Sequence, residues 1–89
     1  MEIQLINGIF SIAEAEALLT AIFKTKIAFH EQRINTTSET EEDIKHSEKK
    51  ITQLQQTLRD AIKKMKEKGQ THTSLNAHIN VDTMGKLGQ

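Results

Sequence analysis

The sequence lacks cysteine, proline, tryptophan and tyrosine altogether, and its only aromatic residues are Phe10, Phe23 and Phe29. Without cysteine, disulfides, thiolate nucleophiles and cysteine-based zinc sites are excluded. The shortage of aromatic rings leaves few anchors for base stacking or for protein interfaces. No apolar run reaches the length of a membrane span, and no signal-peptide pattern opens the chain. We therefore expect a cytoplasmic protein without a membrane partner.

The chain also has no excess of charge of either sign, because 12 Lys and Arg residues balance 12 Asp and Glu residues. A neutral chain argues against a protein whose main task is to neutralise a phosphate backbone. The length of 89 residues predicts one small domain with a modest core. We assign this domain to residues 1–82 and interpret residues 83–89, which are poor in apolar groups, as a flexible tail.

The strongest pattern is an apolar seam in residues 38–68, which predicts a long amphipathic helix. Its members are Ile44, Ile51, Leu58 and Met65 at intervals of seven, with Leu54, Ala61 and Ile62 between them. Such a narrow seam is typical of helices that pack lengthwise on one partner, as in a coiled coil. Either Thr37 or Ser38 is suited to cap this helix, and Ser38 forms a capping box with Glu41. Gly69 is placed to end it.

An earlier helix is predicted over residues 11–34. Ser11 and Glu14 form a capping box at its start, and no glycine or proline interrupts it. At about 100° per residue, its apolar side chains cover roughly half of the circumference. That face is wider than contact with one partner helix requires.

A short connection between the two helices makes them antiparallel neighbours. With a turn near residues 36 and 37, the predicted facing pairs are Phe29 with Ile44, Ile22 with Ile51, Leu19 with Leu54, Ala15 with Leu58, and Ile12 with Ala61. Every pair is apolar on both sides, which neither helix alone guarantees. The sequence therefore predicts a helical hairpin with this register.

Two segments at the ends of the chain alternate between apolar and polar residues, a pattern typical of half-buried strands. The first covers residues 1–6 and is ended by the turn pair Asn7-Gly8, and the second covers residues 74–81. Because both emerge at the same end of the hairpin, we expect them to pair antiparallel. The predicted fold class is mainly α: an antiparallel two-helix hairpin with short N- and C-terminal β-strands.

Part of the apolar face of the first helix is left uncovered when the hairpin closes. Leu18 lies along one edge of the contact, and Phe23, Ile27 and Ile34 lie along the other. Exposed to water, they would form the kind of patch that marks association sites. We predict a homodimer in which two hairpins pack through these residues as a four-helix bundle. The alternative is that the terminal strands cover this face within one chain.

His30 falls near the middle of the same apolar face and is flanked by Lys26 and Arg33. A buried base or a metal ligand is one interpretation. A metal needs further converging ligands, however, and His46 falls on the solvent side of the second helix. We expect a partly buried histidine, and no catalytic residue, metal or cofactor. A metal-dependent enzyme centred on His30 is the least favoured hypothesis.

No phosphate-binding glycine loop, zinc-protease motif or catalytic triad can be drawn. The favoured function is a small non-enzymatic interaction or assembly protein, acting as a homodimer or on a protein partner that the sequence does not identify. The alternative is a nucleic-acid-associated accessory protein that uses the basic end of the second helix, residues 63–68. The order strand, helix, helix resembles the outline of ribbon-helix-helix DNA-binding dimers, whose outward strand residues read the major groove. Those positions hold Glu2 and Gln4 here, and the resemblance stops at the outline.

Overall fold

The structure, a computed structural model, describes residues 1–36 and 40–85. Its elements are strand β1 (Glu2–Ser11), helix α1 (Ile12–Thr36), helix α2 (Glu41–Met65) and strand β2 (His72–Asn80). The two strands pair antiparallel, as predicted. The predicted fold class is wrong, because strands of ten and nine residues accompany two helices of 25. The fold is mixed α/β rather than mainly α.

Strand β1 is longer than predicted because the chain does not turn at Asn7-Gly8. Asn7 pairs with Asn76 and Gly8 pairs with Leu75, so both residues stay in the ladder. Gly8 lies under the Phe10 ring, and a Cβ at Gly8 would be 3.5 Å from the nearest atoms of that ring. An aromatic ring that covers a glycine compensates for the missing side chain in a strand. Cross-strand pairing thus overrides the local turn preference.

A β-bulge at Leu5 divides β1 into two parts. Gln4 pairs with His78 and Ile6 pairs with Ala77, which leaves Leu5 as the extra residue. A bulge changes the side-chain parity of its strand, so odd-numbered residues before it share a face with even-numbered residues after it. The Gln4 side-chain amide braces the bulge by donating to the Ile6 carbonyl oxygen at 2.9 Å.

Helix α1 begins at the capping box that the sequence predicts. Ser11 N–H donates to Glu14 Oε1 at 3.0 Å, and Glu14 N–H donates to Ser11 Oγ at 3.2 Å. The Ser11 amide, and after it the Ser11 hydroxyl, stabilise the carboxylate and lower the pKa of Glu14. The capping box is therefore confirmed, and the helix runs on to Thr36, beyond the predicted end at Ile34.

Helix α2 starts later than predicted. Its N-cap is Thr40, whose Oγ1 accepts a hydrogen bond from Asp43 N–H at 3.1 Å. The predicted capping residues Thr37 and Ser38 lie outside the described residues. Threonine is among the residues preferred at an N-cap, although it ranks below serine. Thr40 was not among the predicted caps, and with it as the N-cap Glu41 is the first helical residue.

The same helix also ends earlier than predicted, at Met65 rather than at residue 68. Gly69 has a φ of 88° and lies in a turn that Gln70 N–H closes by donating to Glu67 O at 3.3 Å. A type II turn requires positive φ at its third residue, which glycine adopts without strain. Gly69 therefore turns the chain towards β2 instead of ending the helix.

The register between the helices is shifted by about one heptad from the predicted one. Leu19 shares a groove with Ala61, whereas the predicted partner Leu54 lines a different groove beside His30. Phe29, predicted to face Ile44, is 49% exposed. The seam repeats every seven residues, so a shift of seven keeps apolar residues opposite one another. The predicted facing pairs are therefore wrong, although the antiparallel hairpin is present.

The chain is extended for its size and buries few side chains. Among the described residues, Ala15 and Met65 are the buried apolar ones, and His30 is the buried polar one. The radius of gyration is 16.5 Å, against about 12 Å for a globular chain of this length. The accessible surface is 7349 Å², against about 5,300 Å² for a folded monomer of this mass. One copy alone thus leaves an unusually large surface in water.

Candidate interaction surface

The sheet meets the helices along only half of its length. We call residues 6–11 and 72–77 the proximal ribbon. Its inward side is half-buried and consists of Ile6, Gly8, Phe10, Thr73, Leu75 and Ala77. Leu75 shares a groove with Leu19 of α1 and Met65 of α2. The proximal ribbon therefore covers one end of the helical hairpin.

The other half, residues 1–5 and 78–81, is the distal ribbon, and its apolar side chains are exposed. The exposed fractions are 79% for Met1, 40% for Ile3, 52% for Leu5, 46% for Ile79 and 41% for Val81. We call these five residues the distal patch. Nothing in the described part of the chain covers it.

The distal patch is ordered by the ladder that runs to its end. Ile3 lies opposite Ile79. The Met1 ammonium donates to Val81 O at 2.9 Å, and Val81 N–H donates to Met1 O at 2.7 Å. Two apolar cross-strand pairs thus lie side by side. Because the bulge changes the side-chain parity of β1, these two pairs lie on the same face of the sheet as the residues by which the proximal ribbon packs on the helices.

The opposite face of the distal ribbon is polar. Its members are Glu2, Gln4, His78 and Asn80. Gln4 Nε2 also donates to Asn76 Oδ1 at 2.6 Å, which ties the strands together on this side. Antiparallel sheets commonly keep one face in water and cover the other. The distal ribbon has both kinds of face, and its apolar one is open in the single chain.

The dimer contact predicted from the sequence lies elsewhere, on α1. Leu18, Phe23, Ile27 and Ile34 are all half-buried, so they expose less apolar surface than the distal patch. A two-stranded ribbon is marginal by itself in water, so the sequence predicts that it lies on the helices or joins a second ribbon from another subunit, but it does not predict which residues stay uncovered. The alternation of apolar and polar residues also indicates an interaction surface, because the apolar face of a half-buried strand has to be covered by another part of a protein.

His30 is the one predicted polar site that the fold encloses, with 7% of its surface exposed. The Phe29 ring stands edge-on to it, with the two ring centroids 6.0 Å apart. Burial lowers the pKa of His30, and the positive charges of Lys26, Lys50 and Arg33 lower it further. The neutral imidazole is therefore favoured. Within residues 1–36 and 40–85, no group of three or more His, Asp or Glu side chains could hold a metal ion.

The basic end of α2, which the nucleic-acid alternative invokes, is partly engaged within the chain. Lys66 Nζ lies 2.8 Å from Glu16 Oε1. This ion pair uses one of the lysines that would have to contact phosphates. The nucleic-acid alternative stays a prediction from the sequence, and salt-dependent retention on heparin would check it.

Two further findings complete the description of the chain. In the described residues, neither helix combines the length and the apolar character needed to cross a bilayer. No protein-family model, curated protein or solved structure was found to match this chain.

Proposed function

We propose that this protein is a small, non-enzymatic interaction protein that works as a homodimer, with the distal patches of two copies packed on each other. The observation that carries the proposal is the distal patch itself, an ordered apolar surface with no cover in one chain. Burial of apolar surface is the main driving force for association. The helical hairpins then project from a shared sheet layer and offer their surfaces for assembly.

The accessible surface of the whole chain exceeds that expected of a folded monomer. One copy has roughly 2,000 Å² more accessible surface than a folded monomer of its mass is expected to show. A standard protein interface takes about 800 Å² from each partner. The excess is spread over the whole chain, and the distal patch is an apolar and ordered part of it. Pairing through the distal ribbon would also steady a two-stranded sheet, which is marginal by itself in water.

A second copy fits the distal patch better than an unlike partner for two reasons. The patch is apolar on both strands, so it complements itself when two copies are related by a two-fold axis. The chain also carries a formal net charge of zero at pH 7, so two copies do not repel each other. Two such ribbons stacked face to face would lie about 10 Å apart.

The test replaces Ile3 and Ile79 together by threonine, which keeps the β-branched shape and removes apolar surface. We expect the wild type to sediment as a dimer at tens of micromolar, roughly the concentration that an ordinary dimer affinity requires. The double variant should sediment as a monomer with its helical circular dichroism retained. A wild type that is monomeric under these conditions would refute the proposal.

Ile9→Thr is the matched control. Ile9 is 76% exposed, but it lies on the outer face opposite Ser74, and a lone exposed apolar residue needs no partner. This variant should stay dimeric. A second control, Phe23→Asn with Ile27→Asn, tests the four-helix bundle predicted from the sequence. If that variant dissociates while Ile3→Thr with Ile79→Thr stays dimeric, the contact runs through α1 and our assignment is wrong.

The cytoplasmic location is part of this proposal and rests on the sequence. Cell fractionation of the host would check it directly.

A further inference from the structure

A groove between the two helices carries a second surface, unrelated to the distal patch. It has a volume of about 230 Å³ and is lined by Lys26, His30, Lys50, Gln53, Leu54 and Thr57. None of these six described residues is acidic, and five of them carry a group that can donate a hydrogen bond. A site lined by donors and positive charge selects for an anion.

The residues that line the groove come from both helices. Lys26 and His30 are four residues apart on α1, so they share one face of that helix. Lys50 lies on the α2 side of the groove. Both lysines therefore line the groove that holds the buried imidazole, one from each helix, and the Lys26 ammonium lies 5.8 Å from the centroid of the neighbouring Phe29 ring. In the single chain no lining group balances them, which leaves room for a counter-charge.

We propose that this groove binds a tetrahedral oxyanion of the phosphate or sulfate class, held by Lys26 and Lys50 over the His30 imidazole. Charge-assisted hydrogen bonds from ammonium groups to such oxygens are among the strongest polar contacts in proteins. The groove is large enough for one such anion, since a water needs only about 10–15 Å³ of the same kind of volume. Gln53 and Thr57 supply neutral donors from α2.

Binding is coupled to a proton on His30. In the free protein, burial first, and then the charges of Lys26, Lys50, Arg33 and His46, lower the pKa of His30. A bound dianion favours the imidazolium and raises that pKa again. Affinity is therefore highest below the free-state pKa of His30. It falls as the pH rises through the window between the free and the bound values.

The test follows the His30 ring by NMR during titration with sodium sulfate, at ionic strength matched with sodium chloride. Sulfate stays a dianion from pH 5 to 8, so any pH dependence belongs to the protein. We expect the His30 signals to shift saturably with sulfate and not with chloride, and affinity to fall from pH 5 to pH 8. No saturable shift by about 50 mM, a weak limit even for a small ion, would overturn the proposal.

Variants separate this site from general salt effects. Lys26→Gln and Lys50→Gln should each weaken sulfate binding about tenfold, the usual effect of losing one charged hydrogen bond. Lys24→Gln and Lys49→Gln remove the same charge outside the groove and should leave the affinity unchanged. Equal losses in all four variants would mean that only net charge matters, and the site would be refuted.

His30→Gln should abolish the pH dependence while His46→Gln preserves it. The reverse result would place the titrating group elsewhere and contradict the coupling.

Two sources of the anion are distinguished by parallel titrations. Glycerol 3-phosphate that binds as tightly as inorganic phosphate would indicate a groove open to phosphate monoesters, because the carbon chain then lies in solvent. Binding of inorganic phosphate alone would indicate the free ion. Both results support the oxyanion site and name its ligand, whereas binding of neither overturns it.

Discussion

The proximal and distal halves of the ribbon belong to the same two strands, yet one rests on the helices and the other does not. In the proximal half, Leu75 lines a groove together with Met65 and Leu19. In the distal half, Ile3 and Ile79 form an equally apolar pair that stays 40% and 46% exposed. The chemistry of the side chains is alike, and only what lies opposite them differs.

This difference shows what strand alternation can and cannot predict. Alternation indicates that one face of a strand will be covered. It doesn't say whether the cover comes from the same chain or from another one. In this protein the helical hairpin covers about half of the face, and the rest is exposed in the single chain.

The largest expected effect is that substitutions in the two halves lower the free energy of unfolding by different amounts. Met65 is 7% exposed, and Met65→Ala should cost about 2–4 kcal/mol through lost burial and the cavity left behind. Ile79→Ala should lower the free energy of unfolding much less in the dilute monomer than in the dimer, because the contacts of Ile79 form on association. Urea unfolding at about 1 μM and about 100 μM, on either side of an ordinary dimer affinity, would measure both.

Met84→Ala is the control for this experiment, since Met84 is 75% exposed. It should change stability by less than about 0.5 kcal/mol. If Met65→Ala and Ile79→Ala shift the urea midpoint by the same amount at both concentrations, the two halves do not differ in the way that we infer.

A local signal predicted its feature correctly where no distant contact opposed it, and the antiparallel pairing of the two terminal strands was also predicted. The capping box of Ser11 and Glu14 needs only four residues, and the structure contains it. The turn at Asn7-Gly8 failed because the Phe10 ring and the opposite strand stabilise an extended chain there.

The helix register failed for a different reason. A seam with a seven-residue period fits its partner equally well after a shift of one heptad. In the observed register Leu19 and Ala61 line the same groove. Burial of His30 was foreseen from its place on the apolar face of α1. The groove around it was not, because Lys50 reaches it only in the shifted register.

A substitution with a smaller expected effect tests whether the bulge separates the two halves. Gln4 Nε2 donates to Ile6 O and to Asn76 Oδ1, and at 3.4 Å to Ala77 O, and Gln4→Ala removes all three bonds. We expect a loss of about 1 kcal/mol that is confined to the distal ribbon. Amide hydrogen exchange should then speed up about fivefold at residues 3 and 79 and stay unchanged in the proximal ribbon.

Asn80→Ala is the matched control, because Asn80 is also an amide on the polar face but donates within its own strand end, to Asp82. It should leave exchange in β1 unchanged. Equal acceleration in both halves after Gln4→Ala would mean that the ribbon opens as one unit and that the bulge is no boundary.

The smallest expected effect is the coupling energy of the ion pair beside the proximal ribbon. This coupling distinguishes the observed helix register from the predicted one. Glu16 lies by Lys66, whereas the predicted register would place Glu16 by Thr57. The side chains are 54% exposed for Lys66 and 35% for Glu16, so solvent screening limits their coupling to about 0.5 kcal/mol. A double-mutant cycle of Glu16→Gln and Lys66→Gln should measure that coupling and lose it at high salt. The same cycle with Lys63→Gln should be additive. Additivity in the Lys66 cycle at low salt would favour the predicted register, and with it the proximal ribbon would have to pack on other residues of the hairpin.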